Sequence, residues 1–510
     1  MKLKNLFFLE IFFCFFLLSC GRNTGRVFYI SASGDDEAAG TLNRPWKTIE
    51  RVNQENLRAG DVLLFEGGSV FKGTLLIDSL YLTDDNSLIT ISSFGTGRAV
   101  IDGENSCGIH IKNASCFIIR NLEIRGNGRT GGNVSDGILI ENSRDFYLDS
   151  LDVSGFQHSG VHLRDCRNAR LTHISAHDNG FAGIHVTSAS SNHPSEYGNE
   201  NIYIGYCIAF NNPGDPTVKN NHSGNGILAS SVKGGTIEYC EAYNNGWDMP
   251  WTGNGPVGIW IWDCTNFVIQ YCVSHHNKTN PVAKDGGGFD LDGGVSNSVI
   301  HYCLSYCNQG AGYGLFEFGA AKPWENNIVR YCISYNDGLL NEGSVAVWKG
   351  GREMTMRNCE IYNNTFLNDT AKGIAVSLVS NCENFKFTNN IFLYNGTFLM
   401  ENQKIESEKF VSNCLWNKKG KVNLPENILK TNLITDPQIN VPEKINFGSI
   451  YEIYDGKQIV FSLVPGSPLI DRGEEMLPPF GLPFPGVDIV GTTVPQGSRP
   501  DIGAIEFIKR

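Results

Sequence analysis

From residue 137 to 377 the chain repeats a short pattern in which a glycine or serine is followed by apolar residues at alternate positions. It reads 137-GILIE, 160-GVHLR, 183-GIHVT, 226-GILAS, 258-GIWIW, 288-GFDLD, 314-GLFEF, 344-SVAVW and 373-GIAVS. Period-two alternation predicts strands with one buried face, so the first and third residues after the glycine point inward and the second and fourth outward. A second pattern interleaves with the first: 206-YCIAFNN, 239-YCEAYNNG, 271-YCVSHHN, 302-YCLSYCN, 331-YCISYNDG and 358-NCEIYNN. Its cysteines recur at intervals of 33, 32, 31, 29 and 27 residues, and the slot continues at Ile391 and backwards at His173, Leu151 and Leu122.

Repeats of this length, built of short β segments between Asn/Gly turns, predict an all-β solenoid in which each repeat is one coil of a parallel β-helix. About ten or more coils are expected, stacked at about 4.8 Å with equivalent residues in ladders. Stacked cysteines have parallel Cβ vectors, a poor geometry for bridging, so they read as small buried hydrophobes. The Asn pairs read as turn residues with side-chain amide ladders. Residues 27–105 (28-FYISASGDD, 60-GDVLLFEGG) form an N-terminal cap and first coils, 106–415 the body, and 416–510 (465-PGSPLIDRG, 499-RPDIGAIEF) the last coils and C-terminal cap. The Gly/Asn/Pro-rich stretches at 192–225 and 246–256 are insertions able to wall a groove.

The outward positions collect chemistry on one elongated strip. His162 and His185 share a slot on adjacent coils and should stack, which suits proton abstraction or a structural ladder. Arg164 could hold a carboxylate in a bidentate grip. Trp260, Trp262 and Trp348 suit stacking on sugar rings or packing beneath an insertion. Asp290 and Asp292 lie two residues apart on one face, about 6.5 to 7 Å. With Asp285 they could clamp a cation such as Ca2+, or serve as an acid/base pair, or form a solvated face. Glu317 falls on the inward parity, so either a bulge turns it outward as a candidate acid or it bonds to backbone.

The N-terminus changes where this chemistry is expected. MKLKNLFFLEIFFCFFLLSC has the basic start and apolar run of a signal peptide, and residues 1–20 resemble a bacterial lipoprotein signal that leaves a lipidated Cys20. The expected location is the outer membrane, on its periplasmic face or at the cell surface, and Gly21-Arg22-Asn23-Thr24 favours the periplasmic face. A net charge of −12 gives no general reason to bind nucleic acid, and a monomer is expected.

The motifs FYISASG, AGDVLLFEGG, GFDLDGG and PDIGAIEF together resemble the secreted right-handed parallel β-helix proteins of polysaccharide utilisation, pectate lyases and polygalacturonases among them. The resemblance implies a carbohydrate-active enzyme. GFDLD is similar to a pectate-lyase strand whose aspartates hold Ca2+ beside a catalytic lysine. Asp290 and Asp292 match the carboxylates, whereas Phe316 and Phe318 stand where the lysine would be. Lys284, Lys322 and Lys349 are the nearest alternatives, and Lys349 is a candidate substrate contact. The primary expectation is β-elimination on an acidic poly- or oligosaccharide. A histidine would take the proton, Arg164 or a cation would neutralise the uronate, and Glu317 or an aspartate would assist the leaving oxygen. The alternatives are a glycoside hydrolase using the paired carboxylates and a non-catalytic glycan-binding lipoprotein.

Overall fold

The computed structural model describes residues 25–79, 87–350, 355–378, 382–398, 409–420, 422–442, 445–453, 459–484 and 486–508; Cys20 and the signal segment lie outside them. Strands dominate, and every named strand pairing is parallel. They form two sheets that run the length of a solenoid, of eleven and twenty-five strands among the described residues. The larger sheet covers two walls. Its long strand Arg144–Ser154, for example, pairs with both Arg167–Thr172 and Ser175–His177 of the next coil.

The smaller sheet carries the glycine-led repeats. Its strands, in chain order, are β1 (Leu75–Asp78), β2 (Ile109–Lys112), β3 (Ile138–Glu141), β4 (Ser159–Arg164), β5 (Ala182–Thr187), β6 (Asn225–Ser230), β7 (Val257–Trp262), β8 (Gly287–Leu291), β9 (Tyr313–Glu317), β10 (Val345–Lys349) and β11 (Val376–Leu378). One inward ladder runs Ile138, Val161, Ile184, Ile227, Ile259, Phe289, Tyr313 and Val345, and all of these are buried. Each such burial stabilises by about 1.5–3 kcal/mol relative to exposure, so the repeat itself is the core.

The cysteine slot forms as expected from Cys207 through Cys240, Cys272 and Cys303 to Cys332, all buried, and none of the thirteen described cysteines is in a disulfide. Their thiols donate to the carbonyl two residues back, as Cys272 does to Gln270 at 3.2 Å. The slot then departs from the alignment. Ile333 pairs with Thr365, so Asn364 follows Cys332 while Cys359 stands opposite Asn327 in another ladder. The Asn364 carboxamide accepts the Cys332 N–H at 2.9 Å and continues the row as an amide ladder through Asn390 and Asn413. Ile174, not His173, precedes Cys207, and Asn390, not Ile391, lies beyond Asn364.

The Asn pairs after the cysteines build a buried amide ladder from Asn212 through Asn245, Asn277 and Asn308 to Asp337, each link 2.8 or 2.9 Å. Every coil corner before a cysteine uses a left-handed residue. From Tyr206 through Tyr239, Tyr271 and Tyr302 to Tyr331 these are tyrosines, with φ between 49° and 56°. Side chains other than glycine pay strain there, and the first four rings stack at 4.9 to 5.0 Å in partial compensation.

Both ends are covered. Trp46 stacks on Phe28 at 4.5 Å over the first coil, beside the short helix Ile49–Asn53, whose Thr48 caps the Arg51 N–H. Helix Glu426–Thr431 buries Ile428 at the other end. The C-terminal segment does more than cap. It runs back along the outer wall, where Val487 and Phe447 accept from the hydroxyls of Tyr302 and Tyr306 and Tyr451 stacks on Tyr239.

Candidate active site

The outward face of the smaller sheet is the strip predicted from the alternation. Strand register aligns His162, His185, Leu228, Trp260, Asp290, Gly314 and Ala346 as one row. The next-to-last member, Gly314, corrects the alignment. Phe316 was expected beside Asp290, but Gly314 is there, because only 24 residues separate Asp290 from its partner on the next coil, against 30 between Trp260 and Asp290. The glycine has a steric reason. A Cβ on Gly314 would lie 2.7 Å from the Phe316 ring and 3.1 Å from the Asp290 Cγ, so its absence lets that ring fold against the carboxyl.

Four carboxyl groups gather here. Asp290 is buried, with its Oδ1 unpartnered. Asp292 is half-buried, and its Oδ1 accepts the Gly293 N–H at 2.7 Å. Asp285 enters from the turn before β8 in a left-handed conformation, and its Oδ2 accepts the Gly255 N–H at 2.7 Å. Glu342, from the turn before β10, accepts the Ala311 N–H at 2.7 Å and lies close enough to Asp285 for the two charges to act on each other. Burial, followed by the charges of Asp292, Asp285 and Glu342, pushes the Asp290 carboxyl well up. Burial also drives Asp292 well up, Asp285 to about 6 and Glu342 to about 8. Like charges in a desolvated space hold protons that water would remove.

Among the described residues no lysine or arginine forms an ion pair with any of the four. Lys322 is spent on Asp263 in a buried pair at 2.7 Å, and Lys349 stands in register with Glu317. Nor do three His, Cys, Asp or Glu side chains converge at metal-ligand spacing among the described residues. Of the oxygens expected to clamp Ca2+, one of Asp285 is turned to the Gly255 N–H and one of Asp292 to the Gly293 N–H, while Asp290 Oδ1 has no partner. Glu317 is not a candidate acid either. It is buried, and its carboxylate accepts the N–H groups of Gly294, Gly319 and Ala320 at 3.1, 2.8 and 2.9 Å, so it shapes the 318–320 turn.

Aromatic rings wall the acids, with divided roles. Trp260 is buried against Leu228 and Val257, with its indole N–H on Asn225 at 3.1 Å, and it is packing rather than a free sugar platform. Trp262 keeps an unpartnered indole N–H and stacks with Phe318 at 6.1 Å, while Phe318 and Trp348 are 47% and 44% exposed.

The histidines form a separate centre. His162 and His185 stack at 4.5 Å and 15°, as their shared slot predicts. Asp136, from the turn before β3, bonds the His162 Nδ1 at 3.1 Å and leaves a buried Nε2 without a partner. Burial works against the Asp136 carboxylate, yet the His162 hydrogen bond and charge hold it below the usual range. Burial pushes His185 well below its ordinary value and His222, which approaches through Phe181, to about 4. Arg164 is held by Glu141 at 2.9 Å. Four coil steps separate His162 from Asp290, about 19 Å along the stack. The fold does not bring histidine and aspartate to one reacting atom.

Asp136 and Glu342 were missed in the sequence. Their signal was positional, since Asp136, Asp285 and Glu342 all stand one to three residues before the small residue that opens a groove strand.

Comparison with known proteins fits this geometry. The chain is 25% identical over 477 residues to Lacto-N-biosidase of Bifidobacterium longum subsp. longum, a match covering 73% of this chain and 29% of that one. It is 24% identical over 366 residues to Pectate lyase PEL9 of Emericella nidulans, covering 63% of this chain and 78% of that one. The solved GH136 lacto-N-biosidase from Eubacterium ramulus superposes with a TM-score of 0.52 at 17% identity, over 76% of this chain and 67% of that one, and shares the fold. These relatives are carbohydrate-active enzymes of two reaction types. The family model described as Pel9A-like, right handed beta helix region, matches residues 28–335, and the chain belongs to that family of right-handed parallel β-helices.

Proposed function

We propose that the protein is a glycoside hydrolase acting on a poly- or oligosaccharide whose cleaved unit is uncharged. The observation that carries the proposal is the cluster of Asp285, Asp290, Asp292 and Glu342, unpaired with any cation and walled by Trp262, Phe316, Phe318 and Trp348. A uronate at this point would meet four acids. A neutral pyranose meets proton donors, a carboxylate and aromatic faces. In this reading Asp292, the more exposed of the strand pair and driven well up by burial, protonates the glycosidic oxygen as the bond to the anomeric carbon breaks. Asp285, raised only to about 6 and so the carboxylate of the cluster at neutral pH, supports the developing positive charge and takes a proton from the water that completes hydrolysis. Asp290, raised by burial and by the charges of Asp292, Asp285 and Glu342, keeps its own proton beneath them.

The β-elimination reading retains one specific support, the unpartnered Nε2 of His162 with Arg164 on the same strand. The products decide. Incubation with neutral and uronic-acid oligosaccharides should give new reducing ends without the ultraviolet absorbance of an unsaturated uronide. That absorbance, lost in His162→Gln and kept in Asp292→Asn, would assign an elimination to the histidine centre. The same proposal places the protein on a membrane surface through a lipidated Cys20, as a monomer. Radiolabelled fatty acid should enter the wild type and not Cys20→Ala.

A further inference from the structure

A second unpaired centre lies on the outer wall, away from the strip. Gln270, His301, Arg330 and Tyr362 occupy one ladder of the larger sheet, on successive coils. The C-terminal segment covers them. Arg330 is only 2% exposed, and its guanidinium donates to the Tyr362 hydroxyl at 3.0 Å and to the Pro483 carbonyl at 2.7 Å. Both acceptors are uncharged, and Nε is buried without a partner. One rung away His301, 7% exposed, has a buried Nδ1 that is also unpartnered. The carboxylates of the same cap are committed elsewhere. Asp488 accepts the N–H groups of Val490, Thr492 and Glu506, and Glu506 those of Gln496 and Asp501.

A guanidinium this buried needs a counter-charge. We infer that Arg330 and His301 bind a small monovalent inorganic anion of chloride size beneath the stretch that holds Pro483 and Phe484, pinning the C-terminal segment to the coil wall. The two residues stand on adjacent rungs, about 4.8 Å apart along the stack, so their unpartnered nitrogens can donate to one spherical ion. Phe484, 5.8 Å from the guanidinium, and Tyr302, 4.3 Å from the imidazole, supply an apolar lining that suits a weakly hydrated halide. A single guanidinium does not balance a divalent sulfate or phosphate, which selects against both.

The test uses the full mature chain at constant ionic strength and pH, with gluconate replaced by chloride. Thermal unfolding should rise saturably, by about 2 °C between about 1 and about 100 mM chloride. His301→Phe, which keeps the ring and removes the donor, should abolish that rise while still folding. Crystals grown in bromide should give an anomalous peak within hydrogen-bond distance of Arg330 Nε, a result that does not depend on any variant. Equal melting in gluconate and chloride, or bromide crystals without that peak, would overturn the inference.

Discussion

The two ends of the strip are the same structure with different side chains. At one end His162 and His185 occupy the first outward slot of β4 and β5, and at the other Asp290 occupies the same slot of β8. Each end is backed by an acid from the turn before a strand, Asp136 in one case, Asp285 and Glu342 in the other. Burial is the leading cause of the shift at both ends, yet it lowers His185 and raises Asp290. One cause therefore discharges a base at one end and an acid at the other. A neutral imidazole can accept a proton and a neutral carboxyl can give one, so the fold prepares opposite halves of acid–base chemistry three coil steps, about 14 Å, apart.

The sharpest way to break this comparison is to remove one end at a time. Asp292→Asn should lower kcat about 10³-fold, with the unfolding midpoint nearly unchanged. His162→Gln should change kcat less than about tenfold and act mainly on KM. If the two effects exchange places, the chemistry belongs to the histidines. A structural counterpart lies between the ends: Asn277→Ala cuts the amide ladder and should cost about 2 kcal/mol in chemical denaturation.

Proton counting sharpens the comparison further. Activity should fall below about pH 6, where Asp285 takes up a proton and can no longer act as the base. For stability the sign is also fixed, because the folded value of Glu342 is raised from 4.5 to about 8. The protonated group is tolerated fully below 4.5, and its contribution is lost as the pH climbs through 8. Glu342→Gln should raise the melting point at high pH and leave it nearly unchanged at pH 4. Chelator should leave turnover intact, since no step needs a cation. The smallest effect is at the rim: Trp348→Ala should raise KM about threefold without moving the melting point.

Much of this was legible in the residues. Period two assigned the faces correctly for His162, His185, Asp290 and Glu317, because strand parity depends on the backbone and not on which coil follows. Register was less legible. It depends on loop length, so the short connection before Gly314 moved Phe316 away from Asp290, and a chance Asn-Cys pair drew Cys359 into a ladder that Asn364 occupies. The partners from turns, Asp136 and Glu342, carry no periodicity. What they share is the place just before a strand, and only the stacked coils reveal that such a place overhangs the groove.

The coil ladders also set the units in which this protein can change. A single inserted residue within a strand reverses every face after it, whereas a whole extra coil adds about 4.8 Å and leaves all parities intact. Between β5, which carries His185, and β8, which carries Asp290, only two strands intervene. Duplicating one of them would lengthen the cleft by one step while leaving the acid cluster and the histidine stack internally unaltered. Reach along a glycan can thus evolve in discrete increments, independently of reaction chemistry, through recombination of whole repeats rather than by point substitution.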